Sequence, residues 1–366
     1  MTSPARAPTA DESASPPAQT DAPPRRRRGP VPGPLGRALA SLYAREIGRR
    51  NALYDQGEGV TRLDRPVISV GNLSVGGTGK TPMVAWIVRA LMDAGKRPCV
   101  AMRGYRAKGG ISDEAAIYQR LFLDLPIVAQ PDRGAGLRDL FATRAGRLVD
   151  CVVLDDGFQH RKIARDLDIV LLDASRSPFE DRLLPAGWLR EPPGSLARAG
   201  GVVLTHAELA SPEAIERIGR CVAESGGPSP VAVTRHAWTG LDVQRRSGEE
   251  RHELDWLDGQ RVLAVCAIGN PDAFLAEARR LLGDRLVDSI VMRDHDSYGV
   301  SAVRRLRRRT EHARADVILT TEKDWVKLAR APVDVWPCPV ARPRLELKFD
   351  GGSEALRALV LGGVGS

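Results

Sequence analysis

Apolar positions along the chain alternate between two spacings. Short runs of β-branched and aliphatic residues predict buried strands, and the stretches between several of them carry apolar residues at helical spacing. The predicted strands of the first two thirds of the chain are 67–70, 98–102, 149–154, 169–172 and 202–205. This alternation predicts an α/β fold with a mostly parallel sheet flanked by helices on both faces.

The same pattern predicts how the chain is organised. Residues 1–32 are rich in Pro, Ala and Arg, a composition that cannot bury a core and predicts a disordered tail. The first alternating block occupies 61–230. Residues 231–258 are polar, strand-like and punctuated by Gly, as expected of a linker or hinge. The alternation then resumes in 259–366, which predicts a second, smaller α/β domain.

Residues 33–60 predict an N-terminal amphipathic helix. Leu35, Leu39, Leu42 and Tyr43 fall near one helical face, and several arginines lie elsewhere. Such a helix could lie in a membrane interface with its arginines on anionic headgroups. It could equally dock on the protein's own core. The sequence leaves both alternatives open.

Composition narrows the partners and the compartment. The net charge of +8 favours an acidic partner, which could be a nucleotide, an anionic membrane surface or a nucleic acid. Aromatic residues make up only 5%, which argues against nucleic acid. The cysteines are scattered without CxxC spacing, so we expect a reducing compartment and no zinc site. We find no secretory signal and no apolar stretch of about 20 residues, so we expect the chemistry to face the cytoplasm.

A glycine-rich loop follows the first predicted strand. Residues 67–81 read VISVGNLSVGGTGKT, and an apolar helical pattern follows. Strand, glycine loop, GKT and helix together predict a P-loop, in which backbone N–H groups and the helix N-terminus surround a phosphate. The predicted nucleotide-binding residues are Ser74, Val75, Gly76, Gly77, Thr78, Gly79, Lys80 and Thr81. We expect Lys80 to reach the β- and γ-phosphates and Thr81 to hold Mg²⁺.

Two details of this loop and of a later motif refine the prediction. Ser74 stands where the usual P-loop pattern has Gly, a mild departure because Ser is small and suits turns. At 320–324 the sequence TTEKD is close to the guanine-binding pattern [NT]KxD but lacks the spacer between Lys and Asp. ATP is therefore the better candidate nucleotide, with Mg²⁺ as its metal.

Two acids end a later apolar run. Asp155 and Asp156 follow the strand-like CVVL. Ligands of open α/β sheets bind at the carboxyl ends of strands, and an acid there beside a P-loop serves the Mg²⁺ shell. A turn-forming role is the alternative. The P-loop upstream favours the metal role.

Further polar residues have both a chemical and a structural interpretation. Asp113 follows Ser112 at the start of a helical pattern, where acids also favour a helix N-terminus. His295 lies between two Asp residues just past a predicted strand, and it could equally belong to a surface loop. Arg190 and Glu191 lie in a loop punctuated by Pro and Gly, where an Arg could neutralise phosphate or form a solvated ion pair.

In this order, the motifs resemble one family closely, tetraacyldisaccharide 4′-kinase, the lipid A 4′-kinase of Gram-negative bacteria. The resemblance spans 69–324 and is carried by SVGNLSVGGTGKTP, RGY, SDE, DDGFQH, LLPAGWLREP, RDHDSYG and TEKD. Ser in the P-loop at position 74 is typical of this family. The chain departs from it at Ser112, where Gly is usual, and at Arg106 and Ala107, where RGYGG is usual.

The resemblance implies an ATP·Mg²⁺-dependent kinase that phosphorylates the 4′-hydroxyl of a tetraacylated glucosamine disaccharide 1-phosphate. It implies that Asp113 is the general base, with His295 from the second domain as its partner. Arg190 and Glu191 would line the phosphoryl-transfer region, with Tyr105 and His160 in support.

The family also implies a location and partners. These are a lipid disaccharide substrate and an anionic inner-membrane surface, reached from the cytoplasmic face by a peripheral or monotopic N-terminal helix. No nucleic acid and no obligate protein partner are expected. The alternative is a P-loop ATPase switch or chaperone-type regulator with no small-molecule acceptor, which would have no need of Asp113, Arg190 or His295.

Overall fold

Alternating strands and helices build one continuous sheet. The computed structural model describes residues 29–104, 113–293 and 296–365, with the backbone alone at 113–114. The helices are α1 (Gly33–Asp55), α2 (Lys80–Asp93), α3 (Asp113–Leu121), α4 (Arg133–Ala142), α5 (Pro212–Glu224), α6 (Pro271–Leu282), α7 (Val300–His312), α8 (Glu322–Leu328) and α9 (Ser353–Gly362). The strands are β1 (Val67–Asn72), β2 (Pro98–Met102), β3 (Ile127–Ala129), β4 (Cys151–Asp155), β5 (Leu167–Asp173), β6 (Gly201–Thr205), β7 (Pro230–Arg245), β8 (Gly248–His252), β9 (Val262–Cys266), β10 (Leu286–Val291), β11 (Val317–Thr320) and β12 (Val340–Gly351).

The sheet confirms the predicted fold class. Its twelve strands run in the order β10-β9-β11-β12-β7-β6-β5-β1-β4-β2-β3, with β8 beside β7. Pairs within the first block are parallel, and β7 with β12 is antiparallel. The strands β1, β2, β4, β5 and β6 are buried along their whole length, which explains their unbroken apolar runs.

The segment 231–258, predicted as a linker, contains most of a long strand. β7 begins beside β6 in the first block and ends beside β8 and β12. Because one strand takes part in both pairings, the sheet passes from the first block to the second without interruption. The polar, alternating pattern of this stretch reflects a strand with one face less buried than the other.

The end of the chain returns to the first block. Leu356 and Val360 of α9 belong to the same buried cluster as Met83 and Ile87 of α2. The second block has its own cores on the two faces of β9 and β11, one beneath α6 and the other beneath α7 and α8. The stretch 259–366 thus contributes to the cores of both blocks.

Helix α1 docks on the first block through polar contacts. The Tyr43 hydroxyl donates to the Arg190 carbonyl over 2.9 Å, and Asn51 Nδ2 donates to Glu191 Oε2 over 2.8 Å. Its apolar residues Leu35 and Leu42 remain 65% and 60% exposed. Among the described residues, no helix is long and apolar enough to cross a membrane.

We expect Leu356→Ala to destabilise the first block, because this fully buried side chain lies between α9 and the sheet. The cost should be about 2–5 kcal/mol, the range for buried Leu truncations. Urea unfolding measures it. Leu123→Ala is the matched control, since Leu123 is 95% exposed, and it should change stability by less than about 0.5 kcal/mol. Equal effects of the two substitutions would show that α9 does not contribute to the core.

Candidate active site

The P-loop leaves the buried strand β1 and enters α2. Gly76 and Gly79 adopt φ angles of 141° and 77°, which side chains rarely adopt. Gly79 is the residue before α2, and a Cβ there would lie 2.9 Å from the His236 ring. The loop glycines are therefore required both by backbone conformation and by close packing.

A neighbouring segment holds the P-loop in shape. The Val75 N–H donates to the Trp188 carbonyl over 2.8 Å, and the Arg190 N–H donates to the Leu73 carbonyl over 2.7 Å. Inside the loop, Asn72 Nδ2 donates to the Ser74 carbonyl over 2.6 Å. The backbone hydrogen bonds of 188–190 thus place Arg190, which the sequence indicated as a site residue, beside the P-loop.

Lys80 and Arg190 converge on one carboxylate. Lys80 Nζ lies 3.4 Å from Asp156 Oδ1 and donates to Asn72 Oδ1 over 3.1 Å. One guanidinium nitrogen of Arg190 lies 2.8 Å from each Asp156 oxygen. Burial alone would raise the pKa of Asp156, but the charges of Lys80 and Arg190 outweigh it and hold that pKa well below its usual range. Asp156 is therefore ionised at neutral pH.

The neighbouring acid has a different environment. Asp155 is the last residue of β4, it is buried, and it accepts a hydrogen bond from the Tyr118 hydroxyl over 2.9 Å. Asp155 pairs in register with Val70 of β1, so it lies at the strand edge from which the P-loop departs. Tyr118 belongs to α3, so this bond links α3 to the site.

The donor set suits Mg²⁺. Thr81 is the second residue of α2, Asp155 ends β4 and Asp156 follows it, so one hydroxyl and two carboxylates line the same cleft. Hard oxygen ligands of this kind are those that Mg²⁺ prefers. These three residues would hold the ion.

Sequence reasoning missed several residues of the site. The Arg133 guanidinium is buried and donates to the Asp156 carbonyl over 3.1 Å. This bond holds the Asp156 backbone, which adopts a φ of 54°. Gln159 Nε2 donates to the Asn72 carbonyl over 2.9 Å, joining the turn after β4 to β1. Arg133 begins a helix with a weakly periodic pattern, so only the tertiary structure reveals it.

His160 lies at the end of the same turn. Burial and the nearby positive charges, Arg133 first among them, lower its pKa to about 4. It is neutral at physiological pH. It is not among the residues that line the cleft, although its N–H closes the turn by donating to the Gly157 carbonyl over 2.8 Å.

The structure separates Arg190 from Glu191. Arg190 faces the cleft, whereas Glu191 is fully buried behind it and accepts from Asn51 and Arg198 over 2.8 and 3.0 Å. The Glu191 carboxylate therefore anchors α1.

The residues predicted on the acceptor side lie at the edges of the described structure. Asp113 is the first residue of α3, and its side chain is not described. His295 and Tyr105 lie outside the described residues. Helix α3 is held by Arg120, which pairs with Glu249 over 3.1 Å and with Glu322 over 2.8 Å. Those two acids also pair with the buried Arg342, at 2.5 and 3.0 Å, so α3 is fastened to the second block.

The TTEKD motif has a structural role at its second and last positions, Thr321 and Asp324. The Thr321 hydroxyl caps α8 by accepting from the Asp324 N–H over 3.2 Å, and it donates to Asp324 Oδ2 over 2.6 Å. Asp324 is fully buried and also accepts from the Ala267 N–H over 3.0 Å. Burial raises its pKa.

Both blocks line one cleft of about 2050 Å³. The P-loop, Asp155, Asp156 and Arg190 form the wall from the first block. Gly269 and Asn270, directly after β9, approach from the second, and a Cβ on Gly269 would lie 2.6 Å from the Gly77 nitrogen. The loop after β9 therefore packs directly on the P-loop backbone.

Known proteins of one family match this chain along most of its length. The sequence profile of the family described as tetraacyldisaccharide-1-P 4′-kinase matches residues 34–361. The tetraacyldisaccharide 4′-kinase of Geobacter metallireducens is 40% identical over 312 residues, which cover 79% of this chain and 87% of the relative. That of Anaeromyxobacter sp. strain K is 36% identical over 356 residues, which cover 89% of this chain and 91% of the relative.

A solved structure agrees in fold. LpxK from Aquifex aeolicus, determined in complex with ATP, superposes with a TM-score of 0.65 at 29% identity and covers 90% of this chain and 98% of that chain. Fold, site and similarity along nearly the whole chain agree, and this protein belongs to the tetraacyldisaccharide-1-P 4′-kinase family.

Proposed function

We propose that this protein transfers the γ-phosphoryl group of ATP to the 4′-hydroxyl of a tetraacyldisaccharide 1-phosphate, a step of lipid A biosynthesis. The observation that carries this proposal is the cleft in which a P-loop, an acid pair and Arg190 face a second wall, in a chain of this family. Phosphoryl transfer needs positioning and charge neutralisation, which these groups supply.

Each group on the nucleotide side has a role. The P-loop N–H groups and the start of α2 bind the phosphates, and Lys80 neutralises charge on the β- and γ-oxygens. Thr81, Asp155 and Asp156 would hold Mg²⁺, which would supply positive charge to offset that of the phosphates. Arg190 shares the Asp156 carboxylate with Lys80 and lines the cleft, where it would neutralise charge on the transferred phosphoryl group.

The cleft also offers surfaces that suit a lipid phosphate. Trp86, Leu121 and Leu347 line an apolar part of it. Arg103, Arg251 and Arg344 line it as well and supply positive charge. Apolar walls match acyl chains, and guanidinium groups match the 1-phosphate.

The acceptor hydroxyl must lose a proton as it attacks. We assign Asp113 as the general base and His295 as its partner from the second block. Asp113 is the first residue of α3, and Arg120 of the same helix fastens that helix across the cleft. Its partner arrives on a different block, and closure around both substrates would exclude water and limit idle ATP hydrolysis.

The assay incubates the protein with γ-labelled ATP and a tetraacyldisaccharide 1-phosphate and then locates the label. We expect label at the 4′-position. Asp113→Ala should lower kcat at least about 100-fold, as for loss of a general base, while ATP affinity changes less than about threefold. Asp124→Ala, an exposed acid beyond the same helix, should leave both unchanged. Rapid hydrolysis without acceptor would instead support an ATPase switch, and equal loss of kcat and ATP affinity would contradict the role of Asp113.

Arg190→Met should lower kcat/KM for ATP·Mg²⁺ about 100-fold, because the Asp156 carboxylate loses one of its two cationic partners and the phosphoryl group loses a positive neighbour. Steady-state kinetics at varied ATP·Mg²⁺ measures this. Arg182→Met, an exposed arginine in the same segment, is the control and should match the parent protein. Wild-type kinetics in Arg190→Met would exclude Arg190 from the site.

We assign α1 to the cytoplasmic face of an anionic inner membrane. Its polar contacts to 190–191 dock the helix on the protein, while Leu35, Leu39 and Leu42 remain exposed. Exposed apolar residues beside arginines are typical of an interfacial helix.

Replacing Leu35, Leu39 and Leu42 together by Ser should weaken binding to anionic vesicles at least about 1000-fold, because each buried Leu contributes about 1.5 kcal/mol or more. Vesicle sedimentation measures this. The docking residues Tyr43 and Asn51 stay intact. Leu123→Ser with Leu148→Ser, exposed leucines elsewhere on the surface, is the control. Unchanged binding of the triple variant would refute the membrane role of α1.

A further inference from the structure

Three side chains that can bind a metal ion lie together against the P-loop. His206 follows the end of β6, Glu208 is two residues further, and His236 lies on the adjacent strand β7. One ligand atom from each lies within 4.8 Å of the other two. Neither the kinase chemistry nor the Mg²⁺ site uses these residues.

The spacing of these atoms fits a small tetrahedral metal. His206 Nδ1 lies 3.2 Å from Glu208 Oε1 and 3.1 Å from His236 Nδ1. Zinc bonds to His nitrogen and carboxylate oxygen are about 2.0–2.2 Å long, so neighbouring ligands of a tetrahedral zinc ion are about 3.3 Å apart. The two measured separations are close to this value without any rearrangement.

Two of the three ligands, His206 and Glu208, are already oriented by a second hydrogen bond. His206 Nε2 lies 3.2 Å from the Gly77 carbonyl oxygen, which leaves Nδ1 directed at the cluster. The backbone N–H of His236 donates to Glu208 Oε2 over 3.2 Å, which leaves Glu208 Oε1 directed at His206. A metal-binding His typically donates its other ring N–H to a carbonyl or carboxylate in this way.

The backbone at His206 and at Gly79 has features that place the two histidine rings of this cluster. His206 adopts a φ of 56°, an uncommon conformation for a residue with a side chain, and its ring is buried. His236 packs against Gly79, where any side chain would collide with the ring. The glycine of the P-loop thus makes room for one ligand, and the strained His206 presents another.

We propose that His206, Glu208 and His236 form a binding site for a Zn²⁺-class cation that fastens the end of β6 and the interior of β7 to the P-loop. The ligands are His206 Nδ1, His236 Nδ1 and one Glu208 oxygen. The proton shared near His206 Nδ1 leaves when the metal binds, and His206 Nε2–H remains on the Gly77 carbonyl. A water molecule completes the tetrahedron, because Glu208 and both histidines line the open cleft.

The donor set distinguishes this cation from Mg²⁺. Imidazole with one carboxylate suits Zn²⁺ and related transition metals, whereas Mg²⁺ prefers oxygen ligands. No cysteine takes part, so the scattered cysteines that argued against zinc do not bear on this site. The site and the Mg²⁺ ligands should therefore fill independently.

The test uses the full-length chain without a histidine tag, stripped with chelator and kept in millimolar Mg²⁺. Co²⁺, a spectroscopic stand-in for Zn²⁺, is titrated in without nucleotide or lipid, so the result does not depend on kinase activity. We expect one equivalent to produce the visible absorption of tetrahedral Co²⁺, and Zn²⁺ to abolish it. The bound metal should also raise the Tm.

Variants decide which residues bind. Glu208→Gln should weaken Co²⁺ binding more than about tenfold, the loss that even a change outside the ligand set produces. His236→Asn should abolish the spectrum, and circular dichroism shows whether it folds. If it does not fold, Glu208→Gln decides alone, since the Glu208 side chain is 22% exposed. His252→Ala, which removes a histidine that pairs with Glu250 elsewhere, is the control and should bind like the parent.

Absence of a saturable one-to-one Co²⁺ signal in the parent protein would overturn the site. So would a signal that survives Glu208→Gln unchanged, or one that disappears with His252→Ala.

Discussion

The geometry of the phosphate site depends on the two ion pairs that the Asp156 carboxylate forms with Lys80 and Arg190. This carboxylate joins the start of α2, the end of β4 and the segment 188–190 through one charge. Asp156 is only partly buried, and removing either cation leaves its charge less well compensated. Arg133 fixes the strained backbone of Asp156 from the other side. Phosphoryl transfer requires positive side chains beside the phosphates, and Lys80 and Arg190 are the two that Asp156 holds in place.

The continuous sheet explains why two blocks can share one site. β7 and β12 carry the strand pairing from the first block to the second, and α9 packs back on α2. The loop after β9 consequently meets the P-loop backbone, and Arg120 and Arg342 share two acids across the cleft. The closure that we propose to bring His295 to Asp113 would have to keep or rearrange these contacts between the two blocks.

Helix α1 connects the surface of the molecule to its chemistry. Tyr43 and Asn51 bind the backbone of Arg190 and the buried carboxylate of Glu191. The helix that we propose to bind the membrane is thereby joined to the arginine beside the phosphate site. The adjacent residues 190 and 191 divide these tasks, because one side chain points into the cleft and the other away from it.

The sequence by itself determined the strand and helix alternation, the P-loop and the acid pair at the end of β4, because each depends on local spacing and backbone geometry. It also indicated the family, through an ordered set of motifs. Only the tertiary structure decided that 231–258 includes most of a sheet strand, that Glu191 faces α1, and that Arg133 supports Asp156. It alone brought His206 to His236, thirty residues away, since neighbouring strands place together residues that no short motif connects.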